Sequence, residues 1–242
     1  DCNASSNPVS VVIVGGGSAA PGTAFNKLYT NPTEKYGFQG FEVTRGGDFI
    51  GGLGEAVARF DAAGNEIWSR SLDSIARITD VVELRNGFVA VGPTRPSTDG
   101  QEVGMARITA DGTVQWTRTW GGSGDDVPVA AVAVRDTNFA VLAQTNSLGA
   151  DGQITLQRRL STTDALTTTY DDVPTSLLRS PAGDYYIGGS RTSGGTNNGL
   201  LMKVDREGNL AWTRAFSGAS QVEGLAFRDS MLYATGVVGD AS

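Results

Sequence analysis

The sequence predicts an all-β fold, a β-propeller of four-stranded antiparallel blades, on two observations. An aspartate turn followed by a strand and a tryptophan recurs at a fixed period. Trp68 and Trp116 are 48 residues apart, and Trp116 and Trp212 are 96 apart, which is twice that spacing. A period of roughly 40–50 residues is typical of four-stranded blades. The loops between successive hairpins are too short for crossover helices, which argues against a parallel sheet.

Each aspartate turn is predicted to join the third and fourth strands of a blade. The turns at residues 61–65 and 205–209 both read Asp-x-x-Gly-Asn, and the phrase recurs as Thr-Ala-Asp-Gly-Thr at 109–113. Asp and Asn bond their own backbone, and Gly accepts left-handed geometry, so these residues favour tight turns. The residues of this blade signature are Asp61, Trp68, Asp111, Trp116, Asp205 and Trp212.

A second type of hairpin precedes each aspartate turn and supplies the first two strands of a blade. It is an apolar strand, a polar turn and an aromatic or β-branched strand, at residues 40–52, 81–92, 131–143, 175–189 and 224–236. One unit lacks its tryptophan between residues 156 and 170. Its flank, Asp-Asp-Val-Pro at 125–128, recurs at 171–174, so we expect a degenerate blade there.

The two ends of the chain are predicted to form one blade together. Residues 8–14 and 24–29 read as third and fourth strands, and residues 222–238 read as first and second strands. Joining them makes a fifth blade and closes the ring without exposed edges. The alternative is that the chain is a fragment of a longer propeller. We expect a tail at 1–7 and a single propeller domain at 8–242.

Composition limits the classes of function. The chain has 19 basic and 26 acidic residues, a net charge of −7, which argues against nucleic acid as a partner. It has no histidine, which removes Ser-His-Asp catalysis and imidazole metal sites. No apolar run is long enough for a transmembrane segment. Cys2 is the single cysteine, so it is either an anchor near a processed N-terminus or a free thiol.

The repeat resembles those of PQQ-like β-propellers and, more closely, those of secreted bacterial surface propellers. The resemblance rests on Asp-x-x-Gly-Asn-x-x-Trp at 61–68 and 205–212, and on Trp-Gly-Gly-Ser-Gly-Asp-Asp at 120–126. It implies an exported protein of the periplasm, outer membrane or cell surface. It also implies that the tryptophans are structural contacts between blades. Nothing in the chain matches a quinone-binding set, so no cofactor is expected from the resemblance.

Two groups of carboxylates are candidates for a site. The loops that enter the first strands place paired aspartates on one face, where they either bind a cation, with Ca²⁺ the expected ion, or cap turns. The metal candidates are Asp125, Asp126, Asp171 and Asp172. On the predicted innermost strands, Glu42 and Glu83 are the acidic residues that a glycoside hydrolase would need in pairs.

The expected function is a non-catalytic interaction or scaffold module with protein partners in a larger surface or periplasmic assembly. The alternatives are a lectin-like glycan binder, which aromatic side chains at loop tips would favour, and a five-bladed glycoside hydrolase. Whether the chain is an enzyme stays open, and the lack of a recognisable catalytic set weighs against it.

Overall fold

The computed structural model describes residues 9–13, 25–29, 38–147, 153–159, 165–168 and 172–238, and every named element in them is a β-strand. The first blade comprises β3 (Phe38–Val43), β4 (Phe49–Leu53), β5 (Ala56–Phe60) and β6 (Glu66–Ser71). The second comprises β7 (Asp80–Leu84), β8 (Gly87–Pro93), β9 (Val103–Ile108) and β10 (Val114–Trp120). The third comprises β11 (Asp126–Ala133), β12 (Phe139–Thr145), β13 (Gln153–Arg159) and β14 (Ala165–Thr168). The fourth comprises β15 (Asp172–Arg179), β16 (Tyr185–Ser193), β17 (Thr196–Val204) and β18 (Leu210–Phe216).

Each blade is an antiparallel meander in which every strand pairs with the next one along the chain. The long central pair of the fourth blade runs in register from Tyr185↔Val204 to Ser193↔Thr196. The unit that lacks its tryptophan forms a four-stranded sheet like the others. These sheets confirm the predicted all-β fold of four-stranded antiparallel blades.

The aspartate turns fold as local hydrogen-bonding units. Asp61 accepts hydrogen bonds from the backbone N–H of Ala63 at 2.9 Å and of Asn65 at 2.7 Å. Gly64 takes a φ of 76°, the left-handed region in which a residue without Cβ is favoured. Asp205 repeats the arrangement by accepting from the backbone N–H of Asn209 at 2.7 Å. Side-chain acceptors therefore hold the turn between the third and fourth strands in place.

The apolar core lies between neighbouring sheets. Trp68, on the fourth strand of the first blade, is 7% exposed, and its ring centroid lies 6.0 Å from that of Phe88 in the second blade. Its indole Nε1 donates to the carbonyl of Ala110 at 3.0 Å. Trp116 is half-buried against the core between the second and third blades, and Trp212 is half-buried beside Tyr186.

Two hairpins complete the described strands, β1 (Val9–Ile13) with β2 (Phe25–Tyr29), and β19 (Gln221–Arg228) with β20 (Met231–Val237). They form separate two-stranded sheets, so the joined fifth blade stays a prediction, as do the five-blade count and the domain bounds. Along β20, Met231 is 57% exposed and Tyr233 46%. Pairing with a further strand would cover this apolar edge. No helix in the described ranges is long and apolar enough to cross a membrane.

Candidate functional site

The two glutamates of the innermost strands join the first blade to the second. Glu42 Oε2 accepts a hydrogen bond from the backbone N–H of Glu83 at 3.0 Å. Glu83 Oε2 in turn accepts from the backbone N–H of Arg45 at 2.8 Å. Burial raises the pKa of Glu42, and the bond from the Glu83 amide partly offsets that rise. Both carboxylates that were candidates for hydrolysis thus cap backbone groups of a neighbouring blade.

Asp80, at the start of β7, makes the same kind of link between the second and third blades. One carboxylate oxygen accepts from its neighbour Val81 N–H at 2.9 Å, and the other accepts from Ala131 N–H at 2.8 Å. Burial of the carboxyl is the main cause that raises the pKa of Asp80 from 3.8 to about 6. Asp80 was not among the residues predicted from the sequence, although an aspartate at the start of an apolar strand is a visible signal.

Close approach of β3 to Asp80 depends on a glycine. Gly40 has a φ of 55°, and a Cβ at this position would lie 2.4 Å from the Asp80 Cα. Any larger residue would therefore push the first blade away from the second. In the fourth blade, Thr175 plays an analogous part, because its hydroxyl donates to the carbonyl of Val222 on β19. Side chains of the first strands thus link each of these strands to the next.

The predicted acidic face is held by hydrogen bonds within the protein. Asp126 is 1% exposed and accepts from the Gly122 N–H at 3.0 Å, and its two oxygens also accept from the hydroxyls of Thr145 and Ser147. Asp125 lies beside it, and its carboxylate accepts from the Gln101 N–H at 2.9 Å.

Asp172 occupies the corresponding position at the start of β15. It is also 1% exposed and forms a two-point ion pair with Arg191, with both N–O distances 2.8 Å. Asp171 and Cys2 lie outside the described residues. Within the described ranges, no three or more Cys, Asp or Glu side chains lie together as a metal site. The Ca²⁺ site stays a prediction, which a rise in Tm on adding Ca²⁺ would support.

A cavity of about 390 Å³ lies at the other end of β15, between the fourth blade and the β19–β20 hairpin. Two turns form part of its wall, residues 180–184 after β15 and residues 228–230 after β19. Tyr186 and Phe227 supply its aromatic part, with ring centroids 5.4 Å apart. This cavity was not predicted from the sequence, because its walls come from two different repeats.

Ion pairs supply the polar part of the cavity. Lys203 Nζ lies 2.8 Å from the Asp184 carboxylate, and about a quarter of each side chain is exposed. The hydrogen bond to Asp184 is the largest cause that raises the pKa of Lys203. At the rim, Arg228 and Asp229 form a fully exposed pair at 3.5 Å. The cavity therefore offers donors and acceptors with almost no net charge.

The turn between β19 and β20 is a two-residue hairpin loop without glycine. Asp229 has a φ of 49° and Ser230 a φ of 66°, and they are the two non-glycine residues with positive φ among those described. In the first and fourth blades the turn at this place has five residues, and its positive-φ position is a glycine, Gly47 or Gly183. Left-handed geometry is uncommon for residues with a Cβ, although aspartate tolerates it better than most. Two side chains are thus kept at the cavity rim where glycine would fit more easily.

Comparisons with known proteins support the fold. The chain matches no protein-family model and no curated protein sequence. Among solved structures it is similar to a catalytically inactive histidine-to-alanine variant of virginiamycin B lyase from Staphylococcus aureus with quinupristin. That match has 11% identity and a TM-score of 0.59, and covers 88% of this chain and 67% of that one.

Two further structures are similar at the same level. A streptogramin B lyase has 13% identity and a TM-score of 0.50, with 96% of this chain and 84% of that chain covered. A protein of unknown function from Bacteroides caccae has 13% identity and a TM-score of 0.50, with 79% and 70% covered. At such identities the likeness shows a propeller-like fold alone.

Proposed function

We propose that this chain is a non-catalytic interaction module of an exported bacterial protein, where it contributes to a larger cell-surface or periplasmic assembly. Its partners are proteins, and a glycan is the alternative class of partner. Export is proposed from the resemblance of the repeat at 61–68 and 120–126 to secreted surface propellers.

The proposal depends mainly on one observation: the carboxylates of the innermost strands accept hydrogen bonds from the backbone of neighbouring blades. A glycoside hydrolase needs one carboxyl group to protonate the leaving oxygen and another to act as base or nucleophile. Here Glu42 and Glu83 accept backbone hydrogen bonds from the neighbouring strand and turn. Asp80 is held by the Ala131 amide of a third blade. These groups stabilise the junctions of blades, which supports a rigid platform for binding.

The similarity to the two lyase structures gives no support for a shared reaction. One of them was solved as an inactive variant in which a histidine was replaced. The 242 residues of this chain contain no histidine, so they hold no counterpart of that side chain. The similarity therefore supports the platform, and the proposal takes no substrate from these proteins.

The test separates binding from turnover with the Glu42→Gln/Glu83→Gln double variant. Glutamine keeps a carbonyl oxygen that accepts the same backbone bonds, but it cannot act as a general acid, base or nucleophile. Tagged wild-type and variant chains are returned to the native source, cross-linked and purified. We expect the same cross-linked partner in both, joined to the same residues.

Cleavage of the partner or of a polysaccharide by this chain would contradict the proposal. Both forms are incubated with the isolated partner and with cell-surface polysaccharides, and the products are followed by mass spectrometry. If the wild type cleaves one of these and the double variant does not, the glutamates are catalytic. Far-UV circular dichroism on both forms confirms that the comparison is between folded chains.

A further inference from the structure

The cavity between the fourth blade and the β19–β20 hairpin has a composition suited to one class of small ligand. Its volume of about 390 Å³ lies within the usual range for ligand sites, about 300–1,000 Å³. Its wall combines the rings of Tyr186 and Phe227 with the Asp184–Lys203 ion pair. We propose that this cavity binds a neutral saccharide, an inference that rests on the proposed function as a binding module.

Aromatic rings and balanced charges are the features that recognise sugars. The face of an aromatic ring carries negative charge density, which attracts the weakly positive C–H groups on one face of a pyranose. The hydroxyl groups on the sugar's edge need both donors and acceptors. Lys203 donates and Asp184 accepts, and both remain partly exposed while paired. A ligand with net charge would gain little, because each cation in the wall already faces a carboxylate.

A comparison with the first blade shows how this junction differs from the first one. Strand pairing makes Ile50 and Arg59 the equivalents of Tyr186 and Lys203, since each pair lies opposite in its own blade. Arg59 is paired with Asp48 at 2.6 Å, as Lys203 is with Asp184.

The equivalent space in the first blade is filled. Arg59 donates to the carbonyl of Ala110 at 2.7 Å, and its guanidinium lies 5.7 Å from the ring centroid of the buried Phe88. Among the described residues, no backbone carbonyl of the next blade accepts a hydrogen bond from Lys203. A tyrosine also replaces the isoleucine of the first blade. Within the part of the chain that the structure describes, the fourth blade therefore differs from the first by an open space beside Lys203 and by an added aromatic ring.

The turn after β19 adds polar groups to the same rim. Asp229 and Ser230 keep left-handed backbone angles, and both line the cavity. Positive φ at both positions is the favoured geometry of a two-residue hairpin loop, and it sets the direction of these two side chains. A hydroxyl and a carboxylate at these positions extend the set of groups that can bond to sugar hydroxyls. The rim thus supports the same class of ligand as the wall.

The experiment uses the intact chain and a panel of neutral oligosaccharides, namely lactose, maltotriose, cellotriose and chitotriose. Binding is followed by saturation-transfer NMR and then by isothermal titration calorimetry. We expect at least one of them to bind. Tyr186→Ile installs the residue of the first blade and should weaken that binding by about tenfold or more, because it removes the stacking face. Phe227→Leu is the second variant and should also weaken it.

The matched control is Tyr233→Ser, which removes an exposed tyrosine of β20 that does not line the cavity. It should leave the affinity unchanged. Lys203→Arg should also weaken the binding, because the arginine at the equivalent position of the first blade reaches across the space that is open here. Thermal melts of each variant show that a loss of binding is not a loss of fold.

Three results would overturn the inference. The first is that no saccharide of the panel binds, and the second is that Tyr186→Ile binds as well as wild type. The third is that the Ser230→Cys variant forms a cross-link with another part of the same chain, which would then cover the cavity. If the protein partner is still captured in any of these cases, only the saccharide inference fails and the proposed function stands.

Discussion

Replacement of Trp68 tests whether the repeated tryptophan holds neighbouring blades together. Trp68→Ala removes an indole that is 7% exposed, packs on Phe88 and donates to the Ala110 carbonyl at 3.0 Å. Every one of these contacts crosses from the first blade to the second. The substitution should therefore weaken the junction of two blades and leave the strand pairing within each blade intact.

The expected cost follows from the buried area and the lost hydrogen bond. A buried tryptophan removes about 150–250 Å² from water, which at about 25 cal/mol per Å² corresponds to about 4–6 kcal/mol as an upper limit. Measured aromatic-to-alanine changes in cores lie at about 3–5 kcal/mol. We expect Trp68→Ala to lower the free energy of unfolding by this amount. About 1 kcal/mol of it comes from the Nε1 hydrogen bond.

The assay is urea unfolding followed by far-UV circular dichroism, because loss of a tryptophan alters fluorescence directly. Trp68→Phe keeps a ring but not the donor, so its cost should be smaller. Trp212→Ala is the matched control within the repeat. Trp212 is half-buried, and no acceptor for its Nε1 lies among the described residues. A cost for Trp68→Ala below about 1 kcal/mol, or equal to that of Trp212→Ala, would refute the reasoning.

Three further substitutions test other parts of the structure. Because the pKa of Asp80 rises from 3.8 to about 6 on folding, its carboxyl stabilises the protein below pH ~4, and this stabilisation is lost as the pH rises to ~6. Urea unfolding at several pH values should show a fall of up to about 3 kcal/mol in wild type relative to Asp80→Asn, and parallel curves would contradict it. Gly112→Ala should lower the Tm, because Gly112 has a φ of 88° and an added Cβ would lie 2.8 Å from the Trp68 ring; an unchanged Tm would refute the contact. Arg191→Ala should cost about 3–5 kcal/mol in urea unfolding by leaving the buried Asp172 carboxylate without this partner, and Arg191→Ala/Asp172→Asn should recover part of that loss.

The blades could be predicted because their signals are local. The hydrogen bonds that the amides of Ala63 and Asn65 donate to Asp61 form within a five-residue turn, and turn chemistry of this kind is visible in the sequence. The third blade was also predicted correctly without its tryptophan. Its strand pattern and its flanks carry the same information as those of the complete units.

The site could not be predicted because it depends on contacts between repeats. Asp80 bonds to Ala131, 51 positions along the chain, and nothing near Asp80 in the sequence indicates that partner. Glu42 was noticed as a possible acid, but its bond to the Glu83 amide appears only when two strands are placed side by side. The cavity at Tyr186 likewise requires the turns of two repeats to face each other.

Native mass spectrometry is the most direct test of the central claim, that this chain binds a partner and leaves it unchanged. The tagged chain is recovered from its native source under mild conditions, and its mass is recorded before and after denaturation. We predict a native mass greater than that of the denatured chain, with the released partner chemically intact. A native mass equal to that of the single chain, or a partner recovered as cleaved products, would contradict the claim.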